Sequence, residues 1–354
     1  MMDSTVQVKK WGVVCALMAA AFQTQGQELV EPYHTPEERR AVAGLELNGM
    51  SIGALLEVEG SVGNESGEDV SDIVLATVEL GLETTLHEWA AGRVLLLWEE
   101  DDTEPIALDE AAIVLGGIEG VPWSLEVGKL YVPFGAFHSH FISDPLVLEL
   151  GETRQSAAIL GYAWGILDMK AGVFNGSVND DTEDEVNEFL AAFMLTPAEG
   201  NELGVYWISN LGESDGLSEG LSGAIESSEE EAGLSYDRVG GAGAYFHSEL
   251  GRFILEAEYL AALDSFDAGL LGEGALQPRT WNTELAYTVS DDLELAVRYE
   301  GSDEYPDMPE AQYGVATSYA LAEKVTLGIE YLHGTFDGDV DDRDVVTCQI
   351  AVEL

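Results

Sequence analysis

His138 and His140 stand two apart in a segment that also carries Asp144, Glu149 and Glu152. Imidazoles beside carboxylates can ligate a metal or relay a proton. Alternate histidines reach one ion only from an extended backbone on which their faces converge. No spacing here is diagnostic of a metal, so the sequence predicts loop side chains that hydrogen-bond within a constriction, with no metal and no cofactor. Acidic runs at 99–102, 180–185, 229–231 and 337–342 offer oxygen ligands for Ca²⁺, but none has EF-hand spacing. Solvated loop charge is the simpler account of them. The patterns G-x-S-x-G, H-E-x-x-H and a glycine-rich phosphate loop before a helix are absent, and nothing favours a Ser-His-carboxylate relay through His138 or His140. No enzymatic activity is expected.

The elements that must position these residues are strands. Trp281, Thr283, Leu285, Tyr287 and Val289 alternate with Asn282, Glu284, Ala286 and Thr288, and Leu293 to Glu300 alternate in the same way. The segment 344–354 puts Val346, Cys348, Ile350, Val352 and Leu354 on one face. A strand with two such faces needs a partner on each edge, which a closed barrel supplies. The pattern predicts about sixteen strands, near 44–59, 72–84, 89–99, 107–116, 123–130, 155–164, 166–175 and 186–196, then 202–210, 240–249, 252–262, 280–289, 292–301, 311–321, 324–335 and 344–354. Connections alternate between tight turns, as at Leu250-Gly251, and long loops, as at 211–239. Short periplasmic turns and long extracellular loops are the asymmetry of outer-membrane barrels. A soluble all-β sandwich has no reason to keep it. Aromatics at strand ends, Trp281, Tyr299, Tyr313 and Tyr331, suit an interfacial girdle.

The bulk composition agrees with an all-β transmembrane antiparallel barrel. The chain has 354 residues, 46% of them hydrophobic, and no apolar run long enough for a membrane helix beyond the N-terminus. Lys9 and Lys10 followed by the apolar stretch 11–22 read as an export signal over residues 1–26. Residues 27–43 read as a short periplasmic segment and 44–354 as the barrel, in the outer membrane of a Gram-negative bacterium. Removing the signal leaves Cys348 alone, so no internal disulfide is expected. The net charge of −53 repels nucleic acid and anionic substrates and attracts cations.

The stretch from Tyr131 to Arg154 is richer in apolar residues than the other loops, with Phe134, Phe137, Phe141, Leu146 and Leu148. It is the third long-side loop, and folding inward would bury those side chains and narrow a pore. Tyr131, Phe134, Phe137, His138, His140, Asp144, Glu149, Glu152 and Arg154 are therefore the candidate constriction and solute-binding residues. Glu126, Glu256, Glu258, Glu284, Glu294, Glu300 and Glu330, with Arg298, fall on strand faces opposite the apolar ones and would line the lumen. A carboxylate-lined pore selects cations, whereas phosphate needs a basic constriction.

Residues 109–116, 128–135 (GKLYVPFG), Ser143-Asp144-Pro145 and 148–153 (LELGET) resemble the LbtU-type siderophore porins, themselves similar to phosphate-selective porins. The resemblance covers roughly residues 107–176. It implies a sixteen-stranded outer-membrane barrel admitting an iron-chelating small molecule without a plug domain. The expected function is therefore a porin for passive or facilitated uptake of small solutes, ferric siderophores or other cationic or metal-chelate species. The alternative is a structural or adhesive barrel whose acidic loops bind divalent cations or surface partners. Its surroundings would be outer-membrane lipid and lipopolysaccharide, with no nucleic acid; the oligomeric state stays open, a homo-oligomer included.

Overall fold

The computed structural model describes residues 45–354 apart from 48, 66, 101–104, 118–119, 179–184, 230–235, 273 and 339. The expected signal and periplasmic segments lie outside the described residues. Seventeen strands run in chain order: β1 (Leu45–Leu47), β2 (Met50–Glu65), β3 (Glu68–His87), β4 (Ala90–Trp98), β5 (Ala107–Gly116), β6 (Trp123–Tyr131), β7 (Arg154–Trp164), β8 (Leu167–Asn175) and β9 (Val186–Ala198), then β10 (Asn201–Ile208), β11 (Gly241–Leu250), β12 (Phe253–Ala262), β13 (Arg279–Ser290), β14 (Leu293–Asp303), β15 (Ala311–Ala322), β16 (Val325–Thr335) and β17 (Arg343–Glu353). Among the described residues two α-helices interrupt them, α1 (Leu146–Gly151) and α2 (Asp215–Glu229), with a 3-10 turn at Leu211–Glu213. No described helix is long and apolar enough to cross a membrane.

Strands β2–β17 form one closed antiparallel barrel of sixteen. Each pairs with its sequence neighbours, and β17 returns to β2 from Asp344↔Asn64 to Glu353↔Leu55. Closure leaves no free terminal edge in the wall. Where β17 runs out, β1 takes its place against β2, pairing Leu45↔Ile52 to Leu47↔Met50. A strand of about ten residues, at about 3.4 Å each and tilted by about 40°, rises about 26 Å, close to the height of an outer-membrane apolar band.

One face of the wall is apolar and open, the other polar and covered. Leu295, Val297 and Tyr299 of β14 are 46%, 50% and 44% exposed, while Ala296, Arg298 and Glu300 between them are buried. That alternation dictates which face meets lipid. Tyr259, Trp281, Tyr299, Tyr313 and Tyr331 gather outside near the long-loop end, with Tyr299 and Tyr313 rings 5.1 Å apart. Phe253 and Tyr287, 4.8 Å apart, lie toward the opposite end with Trp89, Trp123 and Trp164. At that end most connections are two residues long, as at 165–166, 251–252 and 291–292. Gly251, at φ 70, supplies the left-handed conformation such a turn needs.

One expectation is corrected. Residues 60–71, rich in glycine and acid, read as a loop, yet β2 runs on to Glu65 and β3 begins at Glu68, the two residues paired. Pairing of β2 with β17, distant in sequence, fixes that segment as strand. The long loop 211–239 holds α2, and the inward loop proper is 132–153, since Tyr131 and Arg154 are the paired last and first residues of β6 and β7.

Candidate functional site

The third long-side loop, 132–153, enters the barrel and is held there by its own backbone. Glu258 of β12 accepts from the amides of Ala136 at 2.9 Å and Phe137 at 2.7 Å. Glu284 of β13 accepts from His140 N at 2.7 Å, and Glu300 of β14 from Leu146 N at 2.8 Å. Glu330 of β16 accepts from Ile142 N at 2.7 Å and Ser143 N at 3.1 Å. A loop leaving water must satisfy each buried N–H, and carboxylate acceptors make the strongest such bonds. These wall glutamates thus face inward as expected, but onto the loop.

Arg298 completes the anchorage. Its side chain is fully buried on β14, with Nε donating to Glu284 at 2.7 Å and Nη1 lying 3.3 Å from Glu300. The remaining N–H groups donate to Ser139 Oγ, Ser143 O and Asp144 O. The guanidinium also lies 4.3 Å from the centre of the Phe141 ring. Phe141 fits because Gly314 opposite it has no side chain; a Cβ there would meet the ring. At the loop's mouth, Tyr131 and Arg154 both donate to Asp109 of β5.

The aromatic residues fill the interior. Phe134 and Leu150 are fully buried with Tyr206, Phe174, Leu221 and Leu260 in one apolar cluster that α2 closes from above. Phe134 meets Tyr206 edge-on at 5.2 Å. Phe137 takes φ 52, unusual outside glycine, and its ring covers Gly135 and Gly151. The Asp215 amide donates to Glu152 O at 2.8 Å, tying α2 to the loop. Burial, reinforced by Asp215 and Asp109, pushes the Glu152 carboxyl well up, and burial raises Asp215 to about 6 despite Arg154. Burial likewise raises Glu149 in α1 to about 7, against the pull of Arg343.

Three histidines surround one carboxylate deeper in the barrel. His138 Nδ1 lies 2.9 Å from Glu256 Oε2, and His247 Nδ1 lies 2.6 Å from Oε1. His140 Nε2 lies 3.8 Å from Oε1, while its Nδ1 is 2.8 Å from Glu294. Burial by itself disfavours charge on His140, yet the bonds to Glu256 and Glu294 push its pKa up to about 10.

The structure therefore brings Phe134, Phe137, His138, His140 and Asp144 together with Glu256, Glu258, Glu284, Glu294, Arg298, Glu300 and Glu330. Glu126 of β6 lies elsewhere on the wall, its carboxylate 3.5 Å from Arg93, which also meets Glu110 at 3.0 Å. Glu57, Glu79, Glu83 and Asp109 continue this second acidic wall through β2, β3 and β5. Sequence reasoning missed His247. The signal was there: His247 shares the inward parity of Tyr245 and pairs directly across from Glu256.

No protein-family model matches the chain. It is 25% identical over 323 residues to a UPF0422 protein of Coxiella burnetii, covering 85% of this chain and 68% of the relative. A UPF0422 protein of Legionella pneumophila strain Paris is 22% identical over 296 residues, and the match covers 74% of this chain and 54% of that one. The chain thus spans about half the length of that relative. Among solved structures, the outer-membrane channel DcaP of Acinetobacter baumannii superposes with a TM-score of 0.61 at 12% identity, covering 88% of this chain and all of the other. This is an outer-membrane β-barrel. Its fold is that of the porins, and its exposed apolar exterior suits lipid.

Proposed function

We propose that the barrel is a channel for small solutes whose path runs past the inward loop and favours cationic or metal-chelate species. One observation carries this reading: a loop is anchored inside the barrel by wall carboxylates, opposite a second wall on β2–β6 that is also acidic. A loop fastened this way narrows a barrel without filling it from every side, and acidic walls favour cations. The fold likeness to outer-membrane channels and the resemblance of residues 107–176 to siderophore porins support the same reading, with a ferric siderophore as the favoured solute.

Conductance of the refolded chain in a planar bilayer under a KCl gradient tests it. Current steps with a cation-selective reversal potential, reduced by a ferric siderophore, are expected. Anion selectivity would overturn the acidic-path assignment. A silent membrane would favour a structural barrel, for which the buried apolar cluster around Phe134 supplies a filled interior.

A further inference from the structure

The geometry points to a metal site: we propose that His138, His140, His247 and Glu256 bind one divalent transition-metal ion. The four residues come from two places far apart in sequence, the inward loop and the β11–β12 hairpin. His138, His247 and Glu256 are buried, and one ligand atom from each lies within 4.8 Å of the others. The His138 and His247 rings stand at 90° with centres 5.4 Å apart, so both imidazoles address the same carboxylate from different directions.

Ligand bonds of about 2.0–2.1 Å in a tetrahedral zinc-type site place donor atoms about 3.3 Å apart. His247 and His138 already lie 2.6 and 2.9 Å from Glu256, with ligand atoms of all three residues within 4.8 Å of one another, whereas His140 Nε2, 3.8 Å from Glu256, stands outside that set and moves in as the fourth ligand. A second observation points the same way. Glu294 sits behind His140, 2.8 Å from Nδ1, leaving Nε2 turned toward Glu256. Ligating histidines are held by such a carboxylate on the far nitrogen. Tyr245 packs edge-on against His138 at 5.6 Å and fixes that ring as well.

Three imidazoles and one carboxylate suit zinc, nickel or copper, and exclude calcium and magnesium, which take oxygen ligands. This proposal runs against the sequence expectation of no metal. His138-x-His140 is not diagnostic alone; the wall supplies the missing donors. An ion here would staple the loop to the wall through side chains, beside the backbone anchorage already described.

The test uses the full refolded chain in detergent, stripped with chelator and titrated with Co²⁺, whose visible absorption distinguishes four-coordinate from six-coordinate sites. One equivalent bound with a four-coordinate spectrum is expected, abolished in His247→Gln and Glu256→Gln. Glu294→Gln, outside the ligand set, should weaken binding about 10–100-fold. Heat-dependent gel mobility reports whether each variant is folded; should a wall variant fail to fold, His140→Gln in the loop replaces it. Binding that is six-coordinate, or unchanged in these variants, would assign the cobalt to the acidic outer loops and overturn the site. No binding by the wild-type chain would leave only an imidazole–carboxylate network, and equally overturn it.

Discussion

At the scale of single residues, Arg298 and Glu149 make the sharpest predictions. Arg298 has its donors directed at two glutamates and at oxygens of Ser139, Ser143 and Asp144 in the loop, its side chain without exposure. Replacing it by Met strands Glu284 and Glu300 in the interior, and losing one partner of a buried pair costs about 3–5 kcal/mol. Urea unfolding of Arg298→Met in lipid vesicles should show that loss, and Arg298→Lys should recover little because an ammonium cannot fork to both glutamates. Glu149 predicts a pH effect. Its folded pKa of about 7 exceeds the ordinary value of about 4.3. The docked loop therefore binds the proton more tightly than the undocked one. Docking is favoured at low pH, weakens as pH rises through 7, and is least favourable above that. Arg343 opposes the shift, Glu300 adds to it, and the Tyr305 hydroxyl bonds to the Glu149 carbonyl. Amide protection in 146–151, that is exchange corrected for its intrinsic base-catalysed rate, should be greater at pH 5 than at pH 8, and Glu149→Gln should remove most of that difference. An unchanged pH response in the variant would move the effect to another group.

At the scale of elements, the barrel was legible and its interior only partly so. Strands such as β13 and β14 show because lipid demands an apolar residue at every second position over about ten residues. The loop's inward course was legible from Phe134, Phe137 and Phe141, which water would not keep. Its anchors were not. That Glu258, Glu284, Glu300 and Glu330 would face inward follows from parity, but which amide each one meets depends on register between distant strands. The same reason hid His247, and the end of β2 and start of β3 within 60–71, where pairing rather than apolar pattern sets the strand. The fit of loop to wall is also testable. Gly314→Val puts methyl groups into the space of Phe141, and overpacking of this kind costs about 1–3 kcal/mol. We expect larger and noisier single-channel currents as the loop is unseated; currents identical to wild type would mean that Phe141 does not hold it.

At the scale of the whole molecule, the exterior decides where the protein resides. Val297 lies half exposed midway along β14. An arginine near the bilayer midplane of such a wall costs about 2–4 kcal/mol. Val297→Arg should therefore lower stability by that amount in lipid vesicles, and much less in a detergent micelle that deforms around the charge. Equal losses in both would place Val297 away from the lipid midplane.

The six amide bonds that hold 132–153 to the wall separate two tasks usually borne by the same atoms. Fastening is done by main-chain N–H groups, which every residue but proline possesses, and by glutamates contributed from other strands. Apart from Ser139, whose hydroxyl meets Arg298, the loop's side chains are thus partly released from the duty of keeping it in place. Their identities can drift, and with them the surface the loop presents inside the barrel, while the loop stays where it is. A barrel built this way can be retuned one side chain at a time, by selection or by design, without being refolded.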